Sequence, residues 1–192
     1  MKLFIALLGG KPADSTIEAH NVFFGIGRSM SSLFPAIKKF WPSAPKIHID
    51  AYIEINRIDG YTIDIVKKNE AKEKDIALAS QQKLFFINLG AYDERVFDEK
   101  HKRLLLVAAD EIEAIRQARN DPFFKNSYTK GNAAPHIDDR KTLDEFEEDT
   151  PIDVGKVIAK QGYIIVPRLL PMPTVTTLWG PEINITGFWR IP

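Results

Sequence analysis

The chain holds four histidines, and each stands two positions from a carboxylate: Glu18-x-His20, His48-x-Asp50, Glu99-x-His101 and His136-x-Asp138. In an extended strand residues i and i+2 point to one side, so each motif offers an imidazole and a carboxylate to a single point. Two imidazoles with two carboxylates suit a divalent metal such as zinc, iron or manganese. On that reading Glu18, His20, His48 and Asp50 are the ligands or acid–base groups of a metal-dependent, hydrolase-like enzyme, with Glu99, His101, His136 and Asp138 as their counterparts. The plainer reading is that His48 and Asp50 form the wet face of a strand, where a carboxylate hydrogen-bonds an imidazole and sets its tautomer.

Other candidate chemistry is thinner. Gly25-x-Gly27 followed by Arg28 and Ser29 could cradle a phosphate at a strand-to-helix turn. The matching positions of the second half of the chain, Leu106 to Asp110, argue against it, and close packing of a helix is the simpler use for the two glycines. Ser15, Thr16 and Ser29 have no base beside them in sequence, so nucleophilic catalysis has no positive signal. The acidic stretch Asp144 to Asp149 reads as a solvated loop, and the sequon Asn184-Ile185-Thr186 carries little weight.

The elements that must position these residues come in two sets. KLFIALLGG at 2–10 returns as KLFFINLGA at 83–91, and the same separation of 81 positions carries Glu18 onto Glu99, His20 onto His101, and Phe23-Phe24 onto Leu104-Leu105. The separation is 88 at His48 and His136 and 102 at Gly60-Tyr61 and Gly162-Tyr163, the added residues falling in the polar stretches KNSYTKGNAA and DEFEEDTP. Each copy reads strand, strand, helix, strand, strand. LFIALL and VFFGIG are apolar throughout and look buried on both faces. Ser29 opens a helix with Leu33, Phe34, Ile37 and Phe40 as its stripe. Asp110 and Glu113 form a capping box ahead of Ile112, Ile115 and Ala118. IHIDAYIEI alternates with its isoleucines and Ala51 on one face and His48, Asp50, Tyr52 and Glu54 on the other, then turns at RIDG into YTIDIV. PIDVGKVIAKQGYIIV reads as the corresponding hairpin, turning at Gln161-Gly162.

As an ordered set, MKLF-x4-GG, IEAHNVFF, a helix, HID and a DGY turn resemble a small bacterial family catalogued as a domain of unknown function, number fifteen-forty-three, which occurs in one or two copies. The resemblance covers the chain to about Pro167 and implies a two-copy member with an α+β unit and a bacterial origin. It supplies no activity.

Composition sets the remaining bounds. The 192 residues are 44% hydrophobic, enough for a packed core, and 26 basic residues balance 26 acidic ones, so net charge points to neither nucleic acid nor an anionic membrane as partner. With no cysteine there are no disulfides or thiolate sites, which accords with a reducing, cytoplasmic setting. MKLFIALLGGKPADS has the look of a short signal peptide, but its internal echo at 83–91 favours a strand. The expected architecture is an α+β protein in which a tandemly duplicated ββαββ unit forms one pseudo-twofold globule. Its parts are a first repeat over 1–66, a connector over 67–82, a second repeat over 83–167, and a proline- and aromatic-rich extension over 168–192 packed on the repeats. The expected role is a non-catalytic binding or interaction module for a protein partner or small ligand, with the metal enzyme as alternative and a divalent metal as the candidate cofactor.

Overall fold

Eight residues without a charged or polar side chain after Lys2, Leu3 to Gly10, can be buried on both faces, and they form the strand through which the first sheet is organised. A computed structural model describes residues 1–92, 97–124, 151–170, 183–184 and 189–190. In it β1 (Lys2–Gly10) lies between β2 (Ala19–Gly27) and β3 (Ile47–Ile55), antiparallel to both. Leu3, Phe4, Ile5, Ala6 and Leu8 are all buried. Two short strands from the end of the chain, β10 (Ile183–Asn184) and β11 (Trp189–Arg190), pair with β3 on its other side.

Between β2 and β3 a 3-10 turn over Met30–Leu33 leads into α1 (Phe34–Phe40). Ser29 caps the turn as expected, its Oγ accepting from the Ser32 amide, and Pro35 sits in the first turn of α1, where its missing N–H costs nothing. Phe4, Ala6, Leu8, Phe23, Met30, Leu33, Ile37 and Ile49 form the core between this helix and the sheet. Gly25 and Gly27 make that packing close. A Cβ on Gly25 would stand 3.1 Å from Leu33 Cδ1, and one on Gly27 would stand 3.0 Å from Leu33 Cγ.

The alternation read along IHIDAYIEI breaks at one point. The β1–β3 register slips between Leu7, opposite Ala51, and Leu8, opposite Ile49, leaving Asp50 as an extra residue in β3. Beyond it the faces exchange. Tyr52, expected on the polar face, packs on the core and meets Phe4 edge to face at 6.2 Å. The hairpin expected after β3 is short. The chain leaves the first sheet at Asn56, and only β4 (Arg57–Ile58) pairs with β5 (Tyr61–Lys67), through a turn in which Asp59 and Gly60 both have positive φ.

The segment 67–82 contains more than a connector: a short 3-10 turn at Lys68–Glu70 and then α2 (Glu73–Gln81), whose buried Asp75 accepts from the Lys72 amide at 3.0 Å. Next, β6 (Lys83–Tyr92) pairs antiparallel with β7 (Glu99–Ala108), and α3 (Glu111–Ala118) is capped by Asp110, whose Oδ1 accepts from Glu113 N at 2.8 Å. Ala114 and Ala118 face the core, while Ile112, expected in the stripe, is exposed. β8 (Ile152–Asp153) pairs with β6.

VGKVIA, read as one arm of a hairpin, is the helix α4 (Val154–Ala159). Val154 and Ile158 are fully buried four positions apart, a helical spacing, and Gly162 at φ +85 ends the segment. β9 (Tyr163–Leu169) then pairs with β5. The chain thus divides into two compact units, residues 1–71 with 157–192, and residues 72–156. The fold is α+β with small antiparallel sheets. No helix among the described residues is long and apolar enough to cross a membrane.

Candidate functional site

Three adjacent strands of the first unit put one row of residues across the sheet. Gly9 of β1 lies opposite His20 of β2 on one side and opposite His48 of β3 on the other. Without a side chain of its own, Gly9 leaves a hollow between the two histidines, and the His48 imidazole lies in it. A Cβ on Gly9 would overlap His48 Nε2 and would stand 3.0 Å from Glu18 Oε1.

Both carboxylates turn into the same place. His48 Nε2 is 2.9 Å from Asp50 Oδ1 and 3.4 Å from Glu18 Oε1. His20 Nε2 is 3.2 Å from Asp50 Oδ2 and 3.8 Å from Glu18 Oε1. The bulge in β3 makes this geometry: as the extra residue, Asp50 is free of a partner across β1 and swings its carboxylate between the two rings. His48 and Asp50 are the inner pair, with side chains 12% and 27% exposed, and Glu18 and His20 are the rim at 48% each. The cluster therefore opens outward on one side.

These spacings match a ligand set. Donors held about 2.1 Å from one ion stand roughly 3.0–3.4 Å apart in octahedral and tetrahedral sites. Ligand atoms of Glu18, His48 and Asp50 all lie within 4.8 Å of one another, the spacing of a metal-holding group. Asp50 Oδ2 is buried and has no hydrogen-bond partner among the described residues, although His20 Nε2 is near. A buried carboxylate oxygen without a donor is costly, and a cation would satisfy it.

The second unit repeats half of this arrangement. Gly90 of β6 lies opposite His101 of β7, and His101 Nε2 is 3.5 Å from Glu99 Oε2. Behind the ring, Asn88 Nδ2 is 3.1 Å from His101 Nδ1. His136 and Asp138 lie outside the described residues. Four of the eight expected residues thus meet at one point, Glu99 and His101 stand together in the second unit, and two are not described.

Gly9 and Gly90 escaped the reading of chemically active residues, because a glycine offers no ligand. The available signal was their matched place 81 positions apart, LLGG against NLGA, near the end of a mostly apolar strand. The Gly25-x-Gly27 segment has the packing role that the plainer reading expected: both glycines face Leu33.

Over its full length the chain has the fold of the crystal structure of a protein Il1583 from Idiomarina loihiensis, with a TM-score of 0.62 at 23% identity, covering 100% of this chain and 98% of that one. No curated protein matches it in sequence. Residues 15–65, which carry Glu18, His20, His48 and Asp50, match the family described as Domain of Unknown Function (DUF1543).

Proposed function

We propose that the protein is a binding module whose first unit holds a divalent transition-metal ion on Glu18, His20, His48 and Asp50. One observation carries the reading: four side chains from two segments, 18–20 and 48–50, converge over a glycine at ligand spacing, around a buried carboxylate oxygen that has no hydrogen bond among the described residues. Two neutral imidazoles and two carboxylates are borderline donors that suit zinc, manganese or iron(II). The outward opening leaves room for a further ligand, so the bound ion can present itself to a small molecule or to a side chain of a protein partner. A cytoplasmic setting belongs to this reading and is supported by the lack of cysteine.

The reading includes a tandem duplication, with repeats over 1–66 and 83–167, a connector over 67–82 and an extension over 168–192. Three observations support it. The β1–β2 and β6–β7 ladders have the same register at a separation of 81, Leu3 opposite Ile26 and Leu84 opposite Val107. The two cores use the same positions: Phe4 and Phe85, Ala6 and Ile87, Leu8 and Leu89, Leu33 and Ala114, Ile37 and Ala118. Finally, β5 and β9, separated by 102, pair about a local two-fold that sets Asp64 opposite Val166. The bonds at its two ends correspond, Lys68 N to Gly162 O at 2.9 Å and Leu170 N to Gly60 O at 2.8 Å.

Metal analysis of protein purified without an affinity tag, followed by calorimetric titration with zinc(II) and manganese(II), tests the site. We expect a tight equivalent that is lost in His48→Gln and in Asp50→Asn, with the far-ultraviolet circular dichroism unchanged. A wild-type protein that neither retains nor takes up either ion overturns the reading.

A further inference from the structure

The second unit departs from the first at one position behind its histidine. Leu7 of β1, which precedes Gly9 by two residues, is replaced at the matching place in β6 by Asn88, which precedes Gly90 by two. Asn88 reaches the rear nitrogen of His101, with Nδ2 3.1 Å from Nδ1. In that orientation Nδ1 is an acceptor, the ring carries its proton on Nε2, and Asn88 Oδ1 is buried with no hydrogen-bond partner among the described residues. A half-turn of the amide exchanges its oxygen and nitrogen with almost no change of shape. Oδ1 then accepts from Nδ1–H, and Nε2 faces Glu99 with a bare lone pair.

That second state is the usual one behind a metal-bound imidazole, where a carbonyl oxygen takes the rear N–H and fixes both tautomer and ring plane. Ahead of the ring it leaves two acceptors facing each other, His101 Nε2 and Glu99 Oε2, 3.5 Å apart. A cation between them turns the repulsion of two lone pairs into two ligand bonds, and the separation is close to that of neighbouring ligands on one ion, about 3.0–3.4 Å. Gly90 lies opposite His101 in the β6–β7 ladder, as Gly9 lies opposite His20 in the β1–β2 ladder.

We propose that Glu99 and His101 form a second metal-binding position, in the second unit, and that Asn88 is the positioning residue that turns His101 Nε2 toward the ion. The proposal rests on the reading of the first unit as a metal site and extends it: the two repeats hold ions with unequal ligand sets, so the chain fills in two steps. The first site has four side chains at hand. The second, built from two of the described side chains with water completing the shell, fills at higher metal concentration.

With only four histidines in the chain, each ring can be assigned by a single His→Gln variant and followed in two-bond proton–nitrogen spectra, which distinguish Nδ1–H from Nε2–H rings. Zinc(II) is titrated into the metal-free protein. We expect His101 to be the Nε2–H tautomer before metal, as the contact from Asn88 Nδ2 to its Nδ1 has it, and to pass to Nδ1–H as its Nε2 resonance shifts, after that of His48 has saturated. Asn88→Leu, which installs the residue of the first unit, should abolish the tautomer preference and the His101 shift while His48 still responds. Glu99→Gln should abolish the shift alone. A His101 ring that is Nε2–H and indifferent to zinc while His48 responds overturns this proposal and leaves the first site standing. A His48 ring that is also indifferent overturns both. An unchanged His101 response in Asn88→Leu removes Asn88 from its assigned role.

Discussion

Gly9 and His48 face each other across the β1–β3 ladder, and the imidazole of His48 occupies the space that a side chain at position 9 would take. The relationship has a direct consequence. Gly9→Ala forces the ring out of the row it shares with His20, and with it out of reach of Glu18 and Asp50. We expect the tight metal equivalent to weaken by at least about tenfold, the effect typical of disturbing the support of a ligand. Calorimetric titration with zinc(II) measures this, and a crystal structure of the variant should show His48 in another rotamer.

Metal binding should raise thermal stability in step with concentration. An ion that binds only the folded state stabilises it by about 2.7 kcal/mol at a free concentration a hundredfold above Kd. Differential scanning fluorimetry across a zinc(II) series should give a rising Tm for the wild type and a flat one for His48→Gln. Chelation should return the wild type to the metal-free value.

Size is distributed in opposite ways in the two cores. The first unit places small residues on its strands, Ala6, Gly25 and Gly27, beneath Leu33 and Ile37, whereas the second places Ile87, Leu106 and Ala108 beneath Ala114 and Ala118. Leu33→Ala alone should cost about 2–5 kcal/mol as a cavity. Gly25→Leu alone should cost roughly 1–3 kcal/mol through overpacking. Together they transplant the pairing of Leu106 with Ala114, and the double variant should be more stable than the sum of the two losses by about 1–3 kcal/mol. Chemical denaturation of the four proteins gives this coupling energy, and simple additivity would refute the compensation.

Gln161 occupies the edge of β2. Its Nε2 donates to Phe24 O at 3.0 Å and its Oε1 accepts from Ile26 N at 3.1 Å, so the side-chain amide stands in for a strand. This satisfies two backbone groups and closes part of an edge that would otherwise be open to strand addition. Gln161→Ala should destabilise the first unit by about 1–3 kcal/mol, read from denaturation midpoints. Size-exclusion chromatography at rising concentration should show self-association in the variant before the wild type.

Much of the local structure was legible along the chain. Leu3 to Leu8 have no polar side chain to place in water, so a central strand follows. Ser29 and Asp110 supply the oxygen that a helix start lacks, and Asp59-Gly60 supplies the positive φ of a tight turn. The helical nature of Val154 to Ala159 was obscured because a six-residue segment shows too few turns for its period to stand out against alternation. The exchange of faces at Asp50 was hidden for a different reason. A bulge is a property of the ladder between β1 and β3, and neither strand alone records it.

The candidate site divides along the same line. Sequence by itself determined the inventory: two Glu-x-His and two His-x-Asp motifs, each with its donors two residues apart, matched at separations of 81 and 88. Only the tertiary structure decided that Glu18, His20, His48 and Asp50 meet, because the meeting depends on which strands are neighbours, on a register that aligns His20, Gly9 and His48, and on one extra residue in β3. Ligand types are written in the order of residues along the chain. The distances between them are set by hydrogen bonds across the sheet and by the room that one glycine leaves.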